Sequence, residues 1–152
     1  LQDKLMVAGA KLIQKTAEAI ANGEVNPLPQ KDSEASPAPK IYRETCSIDF
    51  KQSSQVIYDF IRGLSPYPGA WTSFLGREMK IYAAIPEKIP HSYQTGIFIT
   101  DLKKYLKITT IDGWMSVQSL QIQGKKKMEI GEFLNGLRLS PDDFKSGEII
   151  TE

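Results

Sequence analysis

Residues 62–84, RGLSPYPGAWTSFLGREMKIYAA, contain the change of pattern that decides the fold. Each proline fixes the backbone dihedral φ, removes a backbone donor and disfavours helical conformation in the residue before it. Before this stretch the apolar residues recur every three to four positions, and after it they alternate with polar ones. We therefore expect a helix to end at Gly63 and the chain to stay extended through Pro66 and Pro68.

The residues that follow predict a β-hairpin. Apolar and polar residues alternate through AWTSFLGREMKIYAA, residues 70–84, and we expect the turn at Gly76 and Arg77. We expect Tyr67 and Trp71 to pack as anchors, so that the stiff elbow fixes the angle between the helix and the sheet.

Beyond the hairpin, alternation predicts three more strands, in TGIFITDL, KYLKITTI and WMSVQSLQIQ. Asp112 and Gly113 predict a type I′ turn between the last two strands. A short helix is expected in EIGEFLNGLRL, and residues 140–143 are expected to begin a terminal turn.

Before the elbow, KQSSQVIYDFIRGL predicts a helix capped by Ser53 or Ser54, and ETCSIDF could hold a short strand. The expected apolar face of this helix consists of Val56, Ile57, Phe60, Ile61 and Leu64. Together the elements indicate a mainly β protein with flanking helices, of the α+β class. The expected architecture is a small OB-like β-barrel, preceded by an N-terminal helix and an extended linker.

The chain before residue 41 has a different character. Residues 3–22 predict a helix with Asp3 as its N-cap and a wide apolar stripe. The proline-rich stretch 23–40 predicts an extended linker. The apolar stripe either packs on the core of this chain or belonged to a larger domain. Because the sequence begins without methionine, we expect a fragment of a longer protein.

Bulk composition restricts the classes of function. The chain has 152 residues, a formal net charge of +1, one Cys and one His. Bulk charge therefore gives no case for nucleic acid, and neither an internal disulfide nor a Cys/His zinc site is possible. Cys46 is expected to be an inert thiol and His91 a surface-loop residue, which leaves no nucleophilic triad. We expect a reduced cytoplasmic setting and no membrane span.

Basic residues form clusters although the total charge is balanced. The clusters are Lys125, Lys126 and Lys127; Lys103, Lys104 and Lys107; Arg77 and Lys80; and Arg43 just past the linker. Such patches can hold phosphates and release counterions, but most lysine triplets are solvated loops. The interleaved aromatic residues either stack on unpaired bases or pack in the core. From the residues alone, 41–152 has the character of a binding module.

The order of several short segments resembles a known family. The segments are DKLMVAGAKLIQKTAEAIANG, APKI, SIDF, IRGLSPYPGAW, MKIYAA, GKKKM and EFLNGLRL. Their order and spacing are similar to the C-terminal portion of bacterial methionyl-tRNA formyltransferase. Phe50, Ser65 and Tyr67 stand where the family has Trp, Asn and Trp, and residues 84–110 match it only loosely.

The resemblance implies a two-domain enzyme that acts in translation initiation. In the family, a Rossmann-like domain binds 10-formyltetrahydrofolate and carries an Asn/His/Asp catalytic set, and a C-terminal OB-type barrel helps to hold initiator methionyl-tRNA. The formyl group passes to the amino group of the tRNA-bound methionine. On this map residues 1–22 are the last helix of a missing catalytic domain, 23–40 the linker and 41–152 the tRNA-binding domain. No catalytic, cofactor-binding or metal-binding residue is expected in this part.

The resemblance also raises the expectation that the basic clusters contact tRNA. The candidate tRNA-binding residues are Lys40, Arg43, Arg77, Lys80, Lys125, Lys126 and Lys127. Arg62 is expected to pair with Asp59 or to cap its helix, and Asp49 to be a turn or sheet-capping carboxylate.

Two alternatives stay open. The chain could be the equivalent domain of a related formyltransferase that acts on a nucleotide sugar or on folate, where it need not contact nucleic acid. It could also be a plain structural module that braces a partner domain. The main expectation is a monomeric bacterial cytoplasmic protein whose partners are initiator methionyl-tRNA and its own catalytic domain.

Overall fold

The computed structural model describes residues 1–139 and 149–151, and the chain divides into two compact units, Leu1–Pro39 and Lys40–Glu152. The predicted turn at residues 140–143 lies outside the described residues. The assignment of the chain to a catalytic-domain helix, a linker and a tRNA-binding domain stays a prediction.

The first unit contains helix α1, Gln2–Ala21, and a 3-10 turn at Asp32–Glu34. The helix ends where Asn22 and Gly23 predicted, because Gly23 takes a left-handed φ of 70° and donates to the carbonyl of Ile20 at 3.1 Å. The predicted Asp3 cap is wrong, since Leu1 holds the N-cap position without a side-chain bond. The large apolar side chains of α1 are exposed: Leu5, Met6, Val7, Leu12, Ile13 and Ile20.

The second unit is built on one mixed seven-stranded sheet. Its strands are β1 (Ala70–Phe74), β2 (Arg77–Glu87), β3 (Phe98–Thr100), β4 (Leu106–Thr109), β5 (Trp114–Ile122), β6 (Met128–Glu129) and β7 (Ile149–Thr151). The strand order is β1-β2-β5-β4-β3-β7, with β6 on β5, and among the described strand pairs only β3–β7 is parallel. The sheet curls into a half-barrel, which confirms a mainly β, α+β fold with flanking helices. Closure of the OB type stays a prediction.

Helix α2, Ser54–Leu64, covers the inner face of this sheet. Ser53 caps it as predicted, because its hydroxyl accepts from the backbone N–H of Val56 at 3.4 Å. Ile57, Ile61 and Leu64 are buried against the strands. The apolar face is therefore narrower than predicted, since Val56 is 52% exposed.

The elbow after α2 is tighter than the sequence predicts. The helix continues through Gly63 to Leu64, and the N–H of Gly69 then donates to the carbonyl of Leu64 at 2.9 Å. The chain thus folds back in a turn, with both prolyl peptide bonds cis, and the expected extended run is wrong. Tyr67 is 88% exposed, so it is no packing anchor, whereas Trp71 packs at the margin of the core.

Two predicted turns lie elsewhere or have another shape. The β1–β2 turn is formed by Leu75 and Gly76, with φ of 50° and 71°, one residue earlier than predicted. The β4–β5 connection spans residues 110–113 rather than two residues. ETCSIDF forms a 3-10 turn, Glu44–Cys46, and a single bridge from Ser47 to Trp71 instead of a strand.

The β4–β5 loop is fixed to α2 by Asp112. Its carboxylate accepts from the backbone N–H of Ser54 at 2.7 Å and from the Thr110 hydroxyl at 3.2 Å. The Ser54 hydrogen bond is the main reason that the pKa of Asp112 lies below its usual value. The carboxylate thereby satisfies a donor at the start of α2.

His91 also belongs to this loop contact rather than to a free surface loop. Its Nε2 lies 2.9 Å from the carbonyls of both Thr110 and Gly113, while Nδ1 accepts from the N–H of Tyr93. The proton is therefore on Nε2, since two carbonyls can only accept. The ring packs 4.6 Å from the Trp114 indole, and the histidine is a half-buried tether.

Helix α3, Ile130–Gly136, follows β6 and closes the described part of the core before β7. Phe133 and Leu134 are its buried residues, and Phe133 meets Phe74 of β1 edge-on at 5.8 Å. The lysine segment, residues 125–127, lies in the connection between β5 and β6, just before α3.

Candidate nucleic-acid interface

The strands β1, β2 and β5 present a polar face opposite the core. Side chains alternate along a strand, so buried Met79 and Ile81 point inward while Lys80 points outward. Lys80 lies directly opposite Trp71 of β1 and Gln121 of β5. We call the surface formed by Trp71, Lys80, Tyr82 and Gln121 the outer face.

Arg43 is held at one edge of the outer face. Its guanidinium lies 4.6 Å from the centre of the Trp71 ring, whose Nε1 donates to the Arg43 carbonyl at 2.8 Å. Nε and Nη2 of Arg43 both donate to one oxygen of Glu78, the former at 3.1 Å. Arg43 thus has a stacking partner and a carboxylate partner within the protein. Lys40 is nearby in sequence, with its ammonium 5.4 Å from the centre of the Tyr42 ring.

Lys80 connects the outer face to the elbow. Its ammonium donates to the carbonyl of Pro68 at 3.0 Å, and the side chain is half-buried. A Cβ built on Gly69 would lie 3.3 Å from both Lys80 Cδ and Tyr82 Cε1. The elbow therefore packs on the outer face closely enough to need glycine, which also takes a φ of 88° there.

The lysine segment 125–127 directs its three ammonium groups to different surroundings. Lys127 lies over the Tyr82 ring at 5.1 Å, and Lys126 pairs with Glu132 of α3 at 2.9 Å. Within residues 1–139 and 149–151, no carboxylate forms an ion pair with Lys125 or Lys127. The lysines at 125 and 127 thus keep their charge available to an external anion.

Arg77 and Lys80 lie on opposite faces although three positions separate them. Arg77 pairs in register with inward-pointing Phe74, at the end of the sheet. There it lines a cavity of ≈ 670 Å³ together with Lys125, Arg138, Glu132 and apolar side chains of β1, β5 and α3. Arg77 and Lys80 are close in sequence but belong to two different surfaces, the cavity and the outer face, because side chains alternate along a strand.

The structure thus brings Arg43, Lys80 and Lys127 together on or beside the outer face. It places Arg77 and Lys125 at the cavity near α3. Sequence reasoning missed Gln121 as a member of the outer face and Arg138 as a residue that lines the cavity. Gln121 could have been found, since it occupies an outward position of a strongly alternating strand.

Two residues predicted to be structural are confirmed as such. Arg62 pairs with Asp59 at 2.9 Å, one turn apart on α2. The carboxylate of Asp49 accepts from the N–H of Lys51 at 3.0 Å and from the side-chain amide of Gln52 at 3.1 Å. These bonds, the first foremost, lower the pKa of Asp49.

None of the helices in residues 1–139 and 149–151 combines the length and hydropathy that a membrane span needs. No group of three or more His, Cys, Asp or Glu side chains in residues 1–139 and 149–151 could hold a metal ion.

Comparison of the sequence with known protein families identifies the family of this chain. Residues 40–138 match the family "Formyl transferase, C-terminal domain", and the chain belongs to that family. The match contains all seven candidate contact residues: Lys40, Arg43, Arg77, Lys80, Lys125, Lys126 and Lys127.

The relatives carry one functional name. The chain is 46% identical over 156 residues to methionyl-tRNA formyltransferase of Bacteroides thetaiotaomicron, which covers 95% of this chain and 48% of that protein. It is 43% identical to the Flavobacterium psychrophilum protein of the same name, with 92% and 46% covered. The chain spans about half the length of the curated relatives it matches.

A solved structure shows a related fold. HypX from Aquifex aeolicus, in complex with tetrahydrofolic acid, matches with a TM-score of 0.56 at 20% sequence identity. The match covers 93% of this chain and 24% of HypX. At this identity the likeness concerns the fold alone.

Proposed function

We propose that this chain is the C-terminal part of a methionyl-tRNA formyltransferase and that its second unit binds and positions initiator methionyl-tRNA. Two of its relatives by that name are 46% and 43% identical to it. Binding takes place through Lys40, Arg43, Arg77, Lys80 and the lysine segment 125–127.

The observation that carries the proposal is the unpaired charge at the end of the sheet. Lys125, Lys127 and Arg77 have no ion-pair partner among the described carboxylates. Arg77 and Lys125 line the cavity beside α3, and Lys127 lies over the Tyr82 ring at the outer face. Cations without an ion-pair partner among the described carboxylates are suited to phosphates, because each phosphate that is neutralised releases counterions.

The binding is of the backbone-positioning kind. Lysine ammonium groups contact phosphate oxygens as point charges, whereas stacking and base-edge contacts give sequence information. On the outer face both aromatic rings already carry a cation, Arg43 on Trp71 and Lys127 on Tyr82. The face therefore recognises the charge and shape of the tRNA rather than its bases.

The parent enzyme transfers a formyl group to the amino group of the tRNA-bound methionine, and 10-formyltetrahydrofolate supplies that group. We assign the donor site and the catalytic residues to a Rossmann-like domain that ends with α1. Helix α1 is then the last helix of that domain, which would cover its exposed apolar residues, and residues 23–40 are the linker. The whole protein acts as a monomer in the cytoplasm.

A second candidate function rests on a specific observation. Three of the candidate cations have partners inside the protein: Arg43 with Glu78, Lys80 with the Pro68 carbonyl and Lys126 with Glu132. Such pairing is what a structural brace in a related formyltransferase, with a nucleotide-sugar or folate substrate, would show. The brace needs no nucleic acid.

Steady-state kinetics of the full-length enzyme separates the two functions. Lys125→Glu/Lys127→Glu reverses two unpaired charges, so we expect KM for initiator methionyl-tRNA to rise at least ten-fold while KM for the folate donor stays unchanged. The matched control is Lys103→Glu/Lys104→Glu, which makes the same change in net charge in the β3–β4 connection, across the sheet. Equal effects of both variants, or none, would favour the brace.

A further inference from the structure

A chain of side-chain hydrogen bonds runs beneath the lysine segment. The Tyr82 hydroxyl donates to Oε1 of Gln121 at 2.7 Å, and Nε2 of Gln121 donates to the carbonyl of Lys125 at 2.7 Å. The direction of the chain is fixed by chemistry, since a carbonyl only accepts and the amide of Gln121 must therefore present its NH₂ to Lys125. The oxygen of the same amide is left for the hydroxyl.

The same tyrosine contacts the other end of the segment. The ammonium of Lys127 lies 5.1 Å from the centre of the Tyr82 ring, within the range of a cation–π interaction. Tyr82 thus restrains the segment twice, at Lys125 through Gln121 and at Lys127 directly. One further hydrogen bond fixes the backbone beside it, from the N–H of Gln123 to the Glu78 carbonyl at 2.8 Å.

The elbow between α2 and β1 in turn contacts Tyr82. The β2–β5 register is irregular between Ile81 and Ala83, so Tyr82 sits at a β-bulge. Its carbonyl accepts from the Ser65 hydroxyl at 3.0 Å, and its ring packs beside Gly69. The elbow between α2 and β1 therefore supports the ring that supports the lysines.

We propose that Tyr82 and Gln121 are positioning residues that hold the lysine segment in the conformation in which Lys125 and Lys127 contact phosphate. The inference rests on the proposed function, tRNA binding. Its physical basis is preorganisation: an exposed lysine turn that is free in solution loses conformational freedom on binding, and one that is already held loses less.

Two single substitutions remove hydrogen bonds of this series with little change in side-chain shape. Tyr82→Phe removes the hydroxyl and keeps the ring under Lys127, and Gln121→Met removes both hydrogen bonds and keeps the side-chain length. Tyr67→Phe is the matched control, because it deletes the same atom from a ring that is 88% exposed. All variants are made in the full 152-residue chain.

The first measurement is binding of fluorescently labelled initiator methionyl-tRNA. We expect Kd to rise about five-fold for Tyr82→Phe and for Gln121→Met, since one net hydrogen bond is worth about 1 kcal/mol. In the double variant, Kd for the tRNA should also rise about five-fold rather than twenty-five-fold, because the two residues belong to the same series of hydrogen bonds. Tyr67→Phe should match the wild type.

The second measurement is backbone ¹⁵N relaxation of Lys125–Lys127 without RNA. We expect lower order parameters in Tyr82→Phe and unchanged ones in Tyr67→Phe, with the rest of the sheet unaltered. If the wild type binds tRNA and Tyr82→Phe binds equally well, or if the order parameters do not change, the inference is overturned while the proposed function stands. If the wild type does not bind tRNA, the proposed function fails, and the positioning role fails with it.

Discussion

Gly113→Ala tests the packing that aligns β2 with β5. A Cβ built on Gly113 would lie 2.1 Å from the carbonyl oxygen of Glu87 and 3.0 Å from the Cα of Lys88. Both obstacles are backbone atoms, so no rotamer change relieves the overlap. Ordinary contact begins near 3.4 Å, and the end of β2 must therefore move by more than an ångström.

Such a shift would also disturb the strand pairing and hydrogen bonds around Gly113. Glu87 pairs in register with Trp114, and the Gly113 carbonyl accepts from the N–H of Thr110 at 2.8 Å and from Nε2 of His91 at 2.9 Å. Overpacking of a rigid site costs about 1–3 kcal/mol. With the attached hydrogen bonds we expect the upper end, about 3 kcal/mol in the free energy of unfolding, or about 10 °C in Tm.

Urea denaturation monitored by circular dichroism measures this loss. Gly63→Ala is the control, since Gly63 lies in α2 with nothing within 4 Å of the added Cβ. That variant should match the wild type or gain about 0.5–1 kcal/mol, because alanine favours helix. A Gly113→Ala protein within about 0.5 kcal/mol of the wild type would refute the close approach of the loop to β2.

Three further changes have defined outcomes. Asp112→Asn should lower the free energy of unfolding at pH 7 by about 1–2 kcal/mol, because the buried N–H of Ser54 loses a charged acceptor. The pKa of Asp112 is lowered in the folded state, so the ionised carboxylate stabilises the fold above the unfolded value of 3.8 and this stabilisation is lost as the pH falls further. The urea curves of the wild type and Asp112→Asn should therefore differ at pH 7 and approach each other near pH 3. Glu132→Gln should release Lys126 and raise tRNA affinity two- to five-fold in a fluorescence titration, with under about 0.5 kcal/mol change in stability; unchanged affinity would contradict a phosphate role for that lysine. Tyr67→Ala should leave the urea midpoint unchanged, since the ring is 88% exposed; a loss above about 1 kcal/mol would restore the packing role that the sequence suggested.

Local patterns predicted those elements whose energetics are local. Alternation along 70–84 located the hairpin, and the spacing of Ile57, Ile61 and Leu64 located the buried face of α2, because each depends on the period of a single element. The serine cap at residue 53 followed for the same reason.

The misplaced turn had a specific cause. In the β1–β2 turn Leu75 takes a left-handed φ of 50°, a conformation that a bulky residue rarely adopts. The glycine pattern alone therefore pointed one residue too far. The strand pairing on both sides, Phe74 with Arg77, determines the observed turn.

The candidate site was harder to predict because its contacts are non-local. Arg43 and Glu78 are 35 positions apart, and Tyr82 and Gln121 are 39 apart. Only the strand register shows that these residues meet. Closeness in sequence grouped Arg77 with Lys80, but strand alternation already indicates that they face opposite sides, because an odd number of positions separates them.

The salt dependence of tRNA binding to the 152-residue chain shows whether its basic residues bind the phosphates of tRNA. If about four of the candidate cations neutralise phosphates, log Kd should rise with log salt at a slope of about 3, at roughly 0.8 per phosphate. Affinity for initiator methionyl-tRNA should then fall about 60-fold between about 50 and 200 mM salt. Absence of binding at about 50 mM salt, or binding that does not change with salt, would contradict the account.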